Sequence, residues 1–387
     1  MEQVNKSAPF KSQSHDDDIP SNVHFDDTTL RDGEQAPGIS FTHEDKLRIA
    51  RLLNRCGVDQ IEAGIPASGI AEQRLISDLT TMNMDCSILA WCRAVPEEID
   101  MAVACGADAV AISCPTSDIL LKTKMGKTHA WALDAMRRTI YHAKEQGLYV
   151  SADSEDSSRT DPSFLVDYAQ AVEKAGADRF RFCDTVGVMD PKRVHDKIAL
   201  LKHSVNIEVE VHMHNDFGMA VANTIIALQQ GATWMNTTVL GIGERAGNAA
   251  FEQIVMALWQ ICNRNPGFDT SLLMDLADLV SRSSGEPLGH RTPIVGSDVF
   301  THESGMHVDG ILKNAHTYEP FDPSLIGRSR TLQVGKHTGS HALQHQYARM
   351  GYPIDRDHAS NLLPQVRNAA ESLNRNLTDD ELRHLLA

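Results

Sequence analysis

From Val23 onward the chain alternates between two textures, repeating roughly every 30 to 40 residues. The first texture is a short run rich in β-branched and apolar residues. Such runs are VHFDDTTL (23–30), VDQIEAGI (58–65), SILAWC (87–92) and DAVAISC (108–114). They continue with LYVSADS (148–154), DRFRFCDT (178–185), IEVEVHMH (207–214) and TWMNTTVL (233–240). The second texture has helical spacing. Ile49, Leu52, Leu53 and Cys56 recur at i, i+3, i+4 and i+7, as do Leu165, Tyr168, Ala169 and Val172. The pattern predicts eight buried strands separated by amphipathic helices.

Punctuation agrees with this division. Thr42, with Asp45 three residues on, predicts a capped helix start, and Asp161-Pro162 pairs an N-cap with proline at the first helical position. Gly57, Gly106, Gly147, Gly176 and Gly231 each follow a helical segment and precede a strand, where a left-handed residue ends the helix. The joints near Met82 and His203 lack that glycine. Eight strand–helix units predict an α/β fold, a (β/α)8 TIM barrel, over 22–283. The competing architecture is a doubly wound open sheet, which the count of eight disfavours. Residues 1–21 read as a disordered leader. From about 284 the alternation stops. A Gly/Pro-rich linker (GEPLGHRTPIVG) gives way to small, mostly helical subdomains over 284–387.

Composition narrows the function. Acidic residues outnumber basic ones 52 to 36, a net charge of -16 that repels polyphosphate and argues against a nucleic acid or an anionic membrane as partner. The N-terminal stretch has no apolar core for a signal peptide, and no run is long enough to span a bilayer. The seven cysteines form no CxxC pair, and most sit in apolar segments, which predicts reduced thiols in a cytoplasmic protein.

Catalytic groups of a barrel come from the C-terminal ends of its strands. Polar residues gather there: Asp27, Arg31, Asp32, Glu34 and Gln35 after strand one, Glu62 on strand two, Arg93 after strand three. Strand five supplies Asp153, Glu155 and Asp156, strand six Asp184 and Thr185, and strand seven His212, His214, Asn215 and Asp216. His212 and His214, two apart on a strand, face one side. With Asp32 as third ligand they would hold a divalent metal and leave positions open for water and substrate. The bland reading of His-x-His is two polar positions on one strand face. Arg31 beside Asp32 can meet a developing oxyanion, whereas most Arg-Asp neighbours form surface ion pairs. Gln35 and Thr185 can bind a carboxylate or cap turns. GIGERAGN (241–248) is a weak phosphate cradle and an ordinary tight turn.

DDTTLRDGEQ (26–35) and HMHNDFGMAVANT (212–224) resemble the two signature segments of the acyl-CoA-dependent synthases that include homocitrate, 2-isopropylmalate and citramalate synthases. GERAGNA (243–249), VFTHESGMHVDG (299–310) and GKHTGSHA (335–342) extend the likeness over nearly the whole chain beyond residue 22. IEAGIPASG, LAWCRA and CDTVGVMDP look most like the homocitrate synthases of nitrogen-fixing bacteria, which supply the homocitrate ligand of the nitrogenase iron–molybdenum cofactor. The resemblance implies a divalent metal (zinc, manganese, iron or magnesium) on Asp32, His212 and His214, with Asn248 close by. It implies acetyl-CoA and 2-oxoglutarate as substrates, condensed to homocitrate with release of CoA. Arg31 would stabilise the oxyanion, Gln35, Arg93 and Thr185 would bind substrate, and Glu155, His307 and Tyr318 would serve catalysis. His307 and Tyr318 match residues that reach the partner's active site, which implies a homodimer with exchanged C-terminal regions.

One departure bears on the substrate. Lysine-pathway homocitrate synthases resemble this chain but carry an arginine on strand five, four positions before the motif glutamate, that grips the distal carboxylate. The matching residue here is Ser151, and Arg93, Lys122, Lys124 and Arg159 are the available substitutes. The regulatory domain usual in 2-isopropylmalate synthases has no counterpart in the 387 residues. Competing readings are a 2-isopropylmalate or citramalate synthase, a carbon–carbon lyase on the same barrel, and a catalytically inert barrel acting as a binding partner.

Overall fold

The computed structural model describes residues 19–386, so most of the expected leader lies outside the described residues. Two units divide the chain, one ending at Pro287 and the other running from Leu288.

The first unit is a closed barrel of eight parallel strands. They are β1 (His24–Asp27), β2 (Gln60–Gly64), β3 (Ser87–Arg93), β4 (Ala109–Pro115), β5 (Tyr149–Glu155), β6 (Arg179–Asp184), β7 (Glu208–Met213) and β8 (Trp234–Thr237). Each pairs with its neighbours in sequence, and β1 closes the ring on β8 through Asp26↔Asn236 and Asp27↔Thr237. β1 and β8 are shorter than the apolar runs predict. At β1 the chain leaves the sheet where the Thr28 carbonyl accepts from both Arg31 and Gly33 N–H, winding 29–33 into a π-helical turn.

The barrel helices are α1 (His43–Cys56), α2 (Ile70–Thr80), α3 (Pro96–Ala104), α4 (His129–Glu145), α5 (Pro162–Lys174), α6 (Pro191–Ser204), α7 (Ala220–Gln229), α8 (Phe251–Gln260) and α9 (Leu273–Ser284). Their starts follow the expected chemistry: the Thr42 side chain accepts from Asp45 N–H, and Asp161 from Ser163 and Phe164 N–H. The two joints without glycine are solved differently. Asn83, a residue that tolerates the left-handed region, takes φ 53°, while α6 runs straight into extended Val205. Ile49, Leu53 and Cys56 of α1, and Leu165, Tyr168, Ala169 and Val172 of α5, are buried as their spacing predicts. They pack against the outward strand face, which on β6 and β7 is Phe180, Phe182, Val209 and Val211.

The other face of each strand points into the barrel; on β3 and β4 it is apolar, with Leu89, Ala109 and Ala111 clustered, while β1, β2, β6 and β7 turn charges inward. Arg179, Arg181, Asp26, Glu62 and Glu210 are all fully buried. Arg181 reaches Asp26, Glu62 and Asp153 at 2.5, 2.7 and 3.2 Å, and Arg179 reaches Asp26 and Glu210 at 3.2 and 2.6 Å. Buried guanidiniums need this many carboxylates to replace lost water.

The second unit is mostly helical, with α10 (Gly305–Lys313), α11 (Ser340–Arg349), α12 (Arg356–Leu373) and α13 (Asp379–Leu386) beside a two-stranded sheet of β9 (Thr301–His302) and β10 (Thr331–Leu332). Its core gathers Val334, Leu343, Tyr347, Leu362, Val366 and Leu382. Among the described residues no helix is long and apolar enough to cross a membrane.

Candidate active site

The C-terminal strand ends of the barrel open into a cavity of about 280 Å³. Arg31, Asp32, Gln35, Glu155, Thr185, His212 and His214 all line it, joined by Trp91, Ser113, Lys124, Asp153, Arg181, Cys183, Glu244 and Arg245. With Asp153 and Lys124, nine residues named from sequence therefore share one space.

The π-helical turn after β1 projects Arg31 and Asp32, with Asp32 N–H donating to Thr28 Oγ1 at 3.2 Å. Arg31 Nε donates to Glu62, and Arg31 Nη1 donates to Asp32 at 2.6 Å. Burial works to raise the Asp32 carboxyl, but Arg31, His212 and His214 together hold it well below the usual carboxylate range. Asp32 is thus an anion at any ordinary pH.

His212 and His214 each present Nε2 towards Asp32 Oδ2, at 3.9 and 4.0 Å. Hydrogen bonds at the other ring nitrogen decide the tautomers. Asn236 donates its amide N–H to Asp26, which leaves Asn236 Oδ1 to accept from His212 Nδ1 at 2.6 Å. His214 Nδ1 donates to the Gly247 carbonyl at 3.2 Å. Both Nε2 atoms are then bare lone pairs, yet they lie 3.2 Å apart. Two facing lone pairs repel unless a cation lies between them. Burial also pushes His212 down to about 4, against the pull of Asp32, so its own Nε2 stays a free acceptor at neutral pH. Among the described residues this is the one grouping with metal-ligand geometry, its donor atoms within 4.8 Å of one another.

Asn248 completes the arrangement. Its amide donates to Asp32 Oδ2 at 2.8 Å and to the Ile242 carbonyl at 3.0 Å, while its buried Oδ1 has no hydrogen-bond partner. A buried bare acceptor beside two bare imidazole nitrogens and a carboxylate suits a divalent cation. The glycines of GIGERAGN shape this corner. Gly247 has φ 80°, and a Cβ there would collide with the Gly241 carbonyl; a Cβ on Gly243 would strike the Asn248 amide. They turn the chain tightly, and no phosphate cradle is needed to account for them.

Other sequence expectations fall elsewhere. Arg93 does not line the cavity: its backbone N–H and its guanidinium both bond Glu98 at the start of α3. Asp27 is turned between Thr29 N–H and the Thr237 hydroxyl, and Glu34 pairs with Lys46. Asp184 accepts from Val188 and Met189 N–H, shaping its own loop. His307 and Tyr318 belong to the second unit, where their rings stack 4.1 Å apart.

The residues that sequence reasoning missed are the interior charges. Arg179 and Arg181 alternate with Phe180 and Phe182, and Glu210 with Val209 and Val211. Period-two charge ordinarily marks a solvent face, but a barrel strand wrapped by helices has none. That alternation was the signal. Through it Arg181 holds Glu62, and Glu62 holds Arg31, so β6 orients a side chain at the cavity rim.

Comparison with known proteins agrees with the geometry. Residues 22–280 match the HMGL-like family, and 294–374 match the family described as homocitrate synthase post-HMGL domain-like. The chain is 46% identical to 2-isopropylmalate synthase 2 of Caldanaerobacter subterraneus subsp. tengcongensis, covering 94% of both chains. It is 44% identical to homocitrate synthase 1 of a Nostoc species, covering 94% of this chain and 97% of the relative. Among solved structures, the HMG-CoA lyase of Bacillus subtilis superposes with a TM-score of 0.62 at 22% identity, covering 70% of this chain and 97% of that one, a likeness of fold. On matches of this extent, the chain belongs to the HMGL-like family, in its 2-isopropylmalate synthase and homocitrate synthase branch.

Proposed function

We propose that the protein is a homocitrate synthase, condensing acetyl-CoA with 2-oxoglutarate and hydrolysing the thioester to release homocitrate and CoA. The observation that carries the reading is the pair of facing imidazole nitrogens of His212 and His214, converging with Asp32 in metal-ligand geometry beside Arg31. When bound there, a divalent metal supplies Lewis acidity to the carbonyl of the 2-oxo acid. Asp32, His212 and His214 would hold it, with the bare Asn248 oxygen beside them.

The remaining roles fall to the chain itself. Arg31, fixed from both sides by Glu62 and Asp32, aims its guanidinium where negative charge grows on the former carbonyl oxygen. Gln35 and Thr185 orient the substrate carboxylate from the cavity wall. The proton leaves the methyl group of acetyl-CoA for a base drawn from Glu155, His307 or a bound water, with Tyr318 stacked on His307. His307 and Tyr318 serve a partner's site in a homodimer with exchanged C-terminal regions. Service to nitrogenase cofactor assembly follows from the likeness to the homocitrate synthases of nitrogen-fixing bacteria.

The test uses purified protein, a divalent metal, acetyl-CoA and a panel of 2-oxo acids, with thiol release as the readout. The highest kcat/KM is expected with 2-oxoglutarate. Preference for 2-oxoisovalerate would establish the second reading, 2-isopropylmalate synthesis, which the 46% identical relative favours. Glu155→Gln and His307→Asn then separate the two side-chain bases.

A further inference from the structure

Ser151 leaves the enzyme without a strand-five arginine, and the interior explains why one would not fit. Ser151 is fully buried, and its hydroxyl bonds Asp153 at 3.1 Å and Glu210 at 3.3 Å. Its neighbour in register on β6 is Arg179, already paired with Glu210, so the space and the counter-charge are taken. The distal end of a dianionic 2-oxo acid must find its cation elsewhere.

Four cations line the cavity: Arg31, Lys124, Arg181 and Arg245. Three are committed. Arg31 is locked between Glu62 and Asp32. Arg181 is buried among Asp26, Glu62, Asp153 and Glu210. Arg245 grips both oxygens of Asp216 and the Thr185 carbonyl. Outside the cavity, Arg93, Lys122 and Arg159 pair with Glu98, Asp118 and Asp156. Lys124 differs. It sits on the turn Leu120–Met125, closed by left-handed Gly126, and its side chain is 55% exposed. Among the described residues its single ion pair, at 2.8 Å and reached by solvent, is with Glu155. A solvent-reached pair of this kind exchanges partners at little cost.

We propose that Lys124 receives the distal carboxylate of the 2-oxo acid and sets the preference for a diacid, with Glu155 holding the ammonium in place until substrate arrives. The inference rests on the condensing-enzyme reading above. A flexible ammonium suits this task because it acts as a point charge and can follow the substrate chain, whereas a guanidinium fork fixes one geometry.

The experiment compares 2-oxoglutarate with 2-oxopentanoate, which replaces the distal carboxylate by a methyl group. Lys124→Met is expected to lower the ratio of their kcat/KM values roughly 10- to 100-fold, mainly through KM for the diacid. Lys124→Arg should recover most of that ratio, and Lys122→Met should leave it unchanged. If Lys124→Met depresses both substrates equally, or neither, the assignment is overturned. Wild-type enzyme that prefers the monoacid, or uses neither, would instead overturn the diacid reading before any variant is compared.

Discussion

Replacing Asn236 by alanine should weaken metal binding although Asn236 touches no metal. Asn236 lies on β8, opposite His212 in register, and its Oδ1 accepts the Nδ1 proton at 2.6 Å. That bond holds His212 in the tautomer whose Nε2 is bare. Without it two penalties arise. The buried Nδ1–H loses its acceptor, which costs about 1–3 kcal/mol in the folded chain. The ring is also freed to carry its proton on Nε2, facing His214 at 3.2 Å, where an N–H···N bond then stabilises the metal-free state. A cation must reverse that tautomer before it binds. Loss of such a partner typically lowers metal affinity about 10- to 100-fold, equivalent to about 1.4–2.8 kcal/mol. The assay is competition for zinc or manganese against a chromophoric chelator at pH 7.5, on variants whose melting curves show a single folded state. Asn236→Asp, which still accepts from Nδ1, should retain tighter binding than the alanine variant. Unchanged affinity in Asn236→Ala would refute the tautomer argument and with it the assignment of bare lone pairs.

Three other substitutions test separate parts of the structure. Glu62→Gln removes the carboxylate shared by Arg31 and Arg181, so kcat should fall while melting shows a loss of about 3–5 kcal/mol, the usual result of stranding a buried charge. Gly247→Ala forces a Cβ into the Gly241 carbonyl and shifts Asn248, so metal content measured by elemental analysis should drop in folded protein. Glu252 is raised by burial from 4.5 to about 7, so the folded chain holds its proton more tightly than the unfolded one. Its contribution to stability is therefore greatest in acid and is lost as pH rises from about 4.5 to about 7, a change of about 3 kcal/mol. Glu252→Gln should melt higher than wild type at pH 8, and that gap should close near pH 4.5; a gap independent of pH would contradict the assignment.

The barrel was legible because its signals are local and repeated. Apolar runs recur in every unit, capping residues such as Thr42 and Asp161 and helix-ending glycines recur in most, and the count of eight favours ring closure. The metal-ligand geometry was legible for a related reason. His212 and His214 share a strand face by parity, and Asp32 follows the strand that closes the ring. Residues placed by loops were less so. Arg93 stands at the end of β3 with the parity of Trp91, yet Glu98 draws it outward, and no pattern in the sequence announces that competition. Arg179 and Arg181 were obscured by the opposite error. Their alternation resembles a solvent face until the helices on the other side are taken into account.

That interior charge resolves the tension between an acidic chain and an anionic substrate. The whole protein carries -16, but the cavity lining balances Arg31, Lys124, Arg181 and Arg245 against Asp32, Asp153, Glu155 and Glu244. Burial and the nearby Glu62 and Glu210 raise Asp153 to about 7 in spite of Arg181, so its negative charge is largely suppressed below that value. A divalent ion held by Asp32, His212 and His214 would add two positive charges to a lining that is otherwise near neutral. With the ion bound, the cavity would attract carboxylates while the outer surface repels polyanions. Adding negative charge inside should consequently matter far more than adding it outside. Ser113→Asp, on the cavity wall, is expected to raise KM for the 2-oxo acid at low ionic strength, and Ser163→Asp, on the outer helix α5, is expected to leave it unchanged. Equal effects would mean that the net charge of the surface, rather than the sign of the site, governs substrate entry.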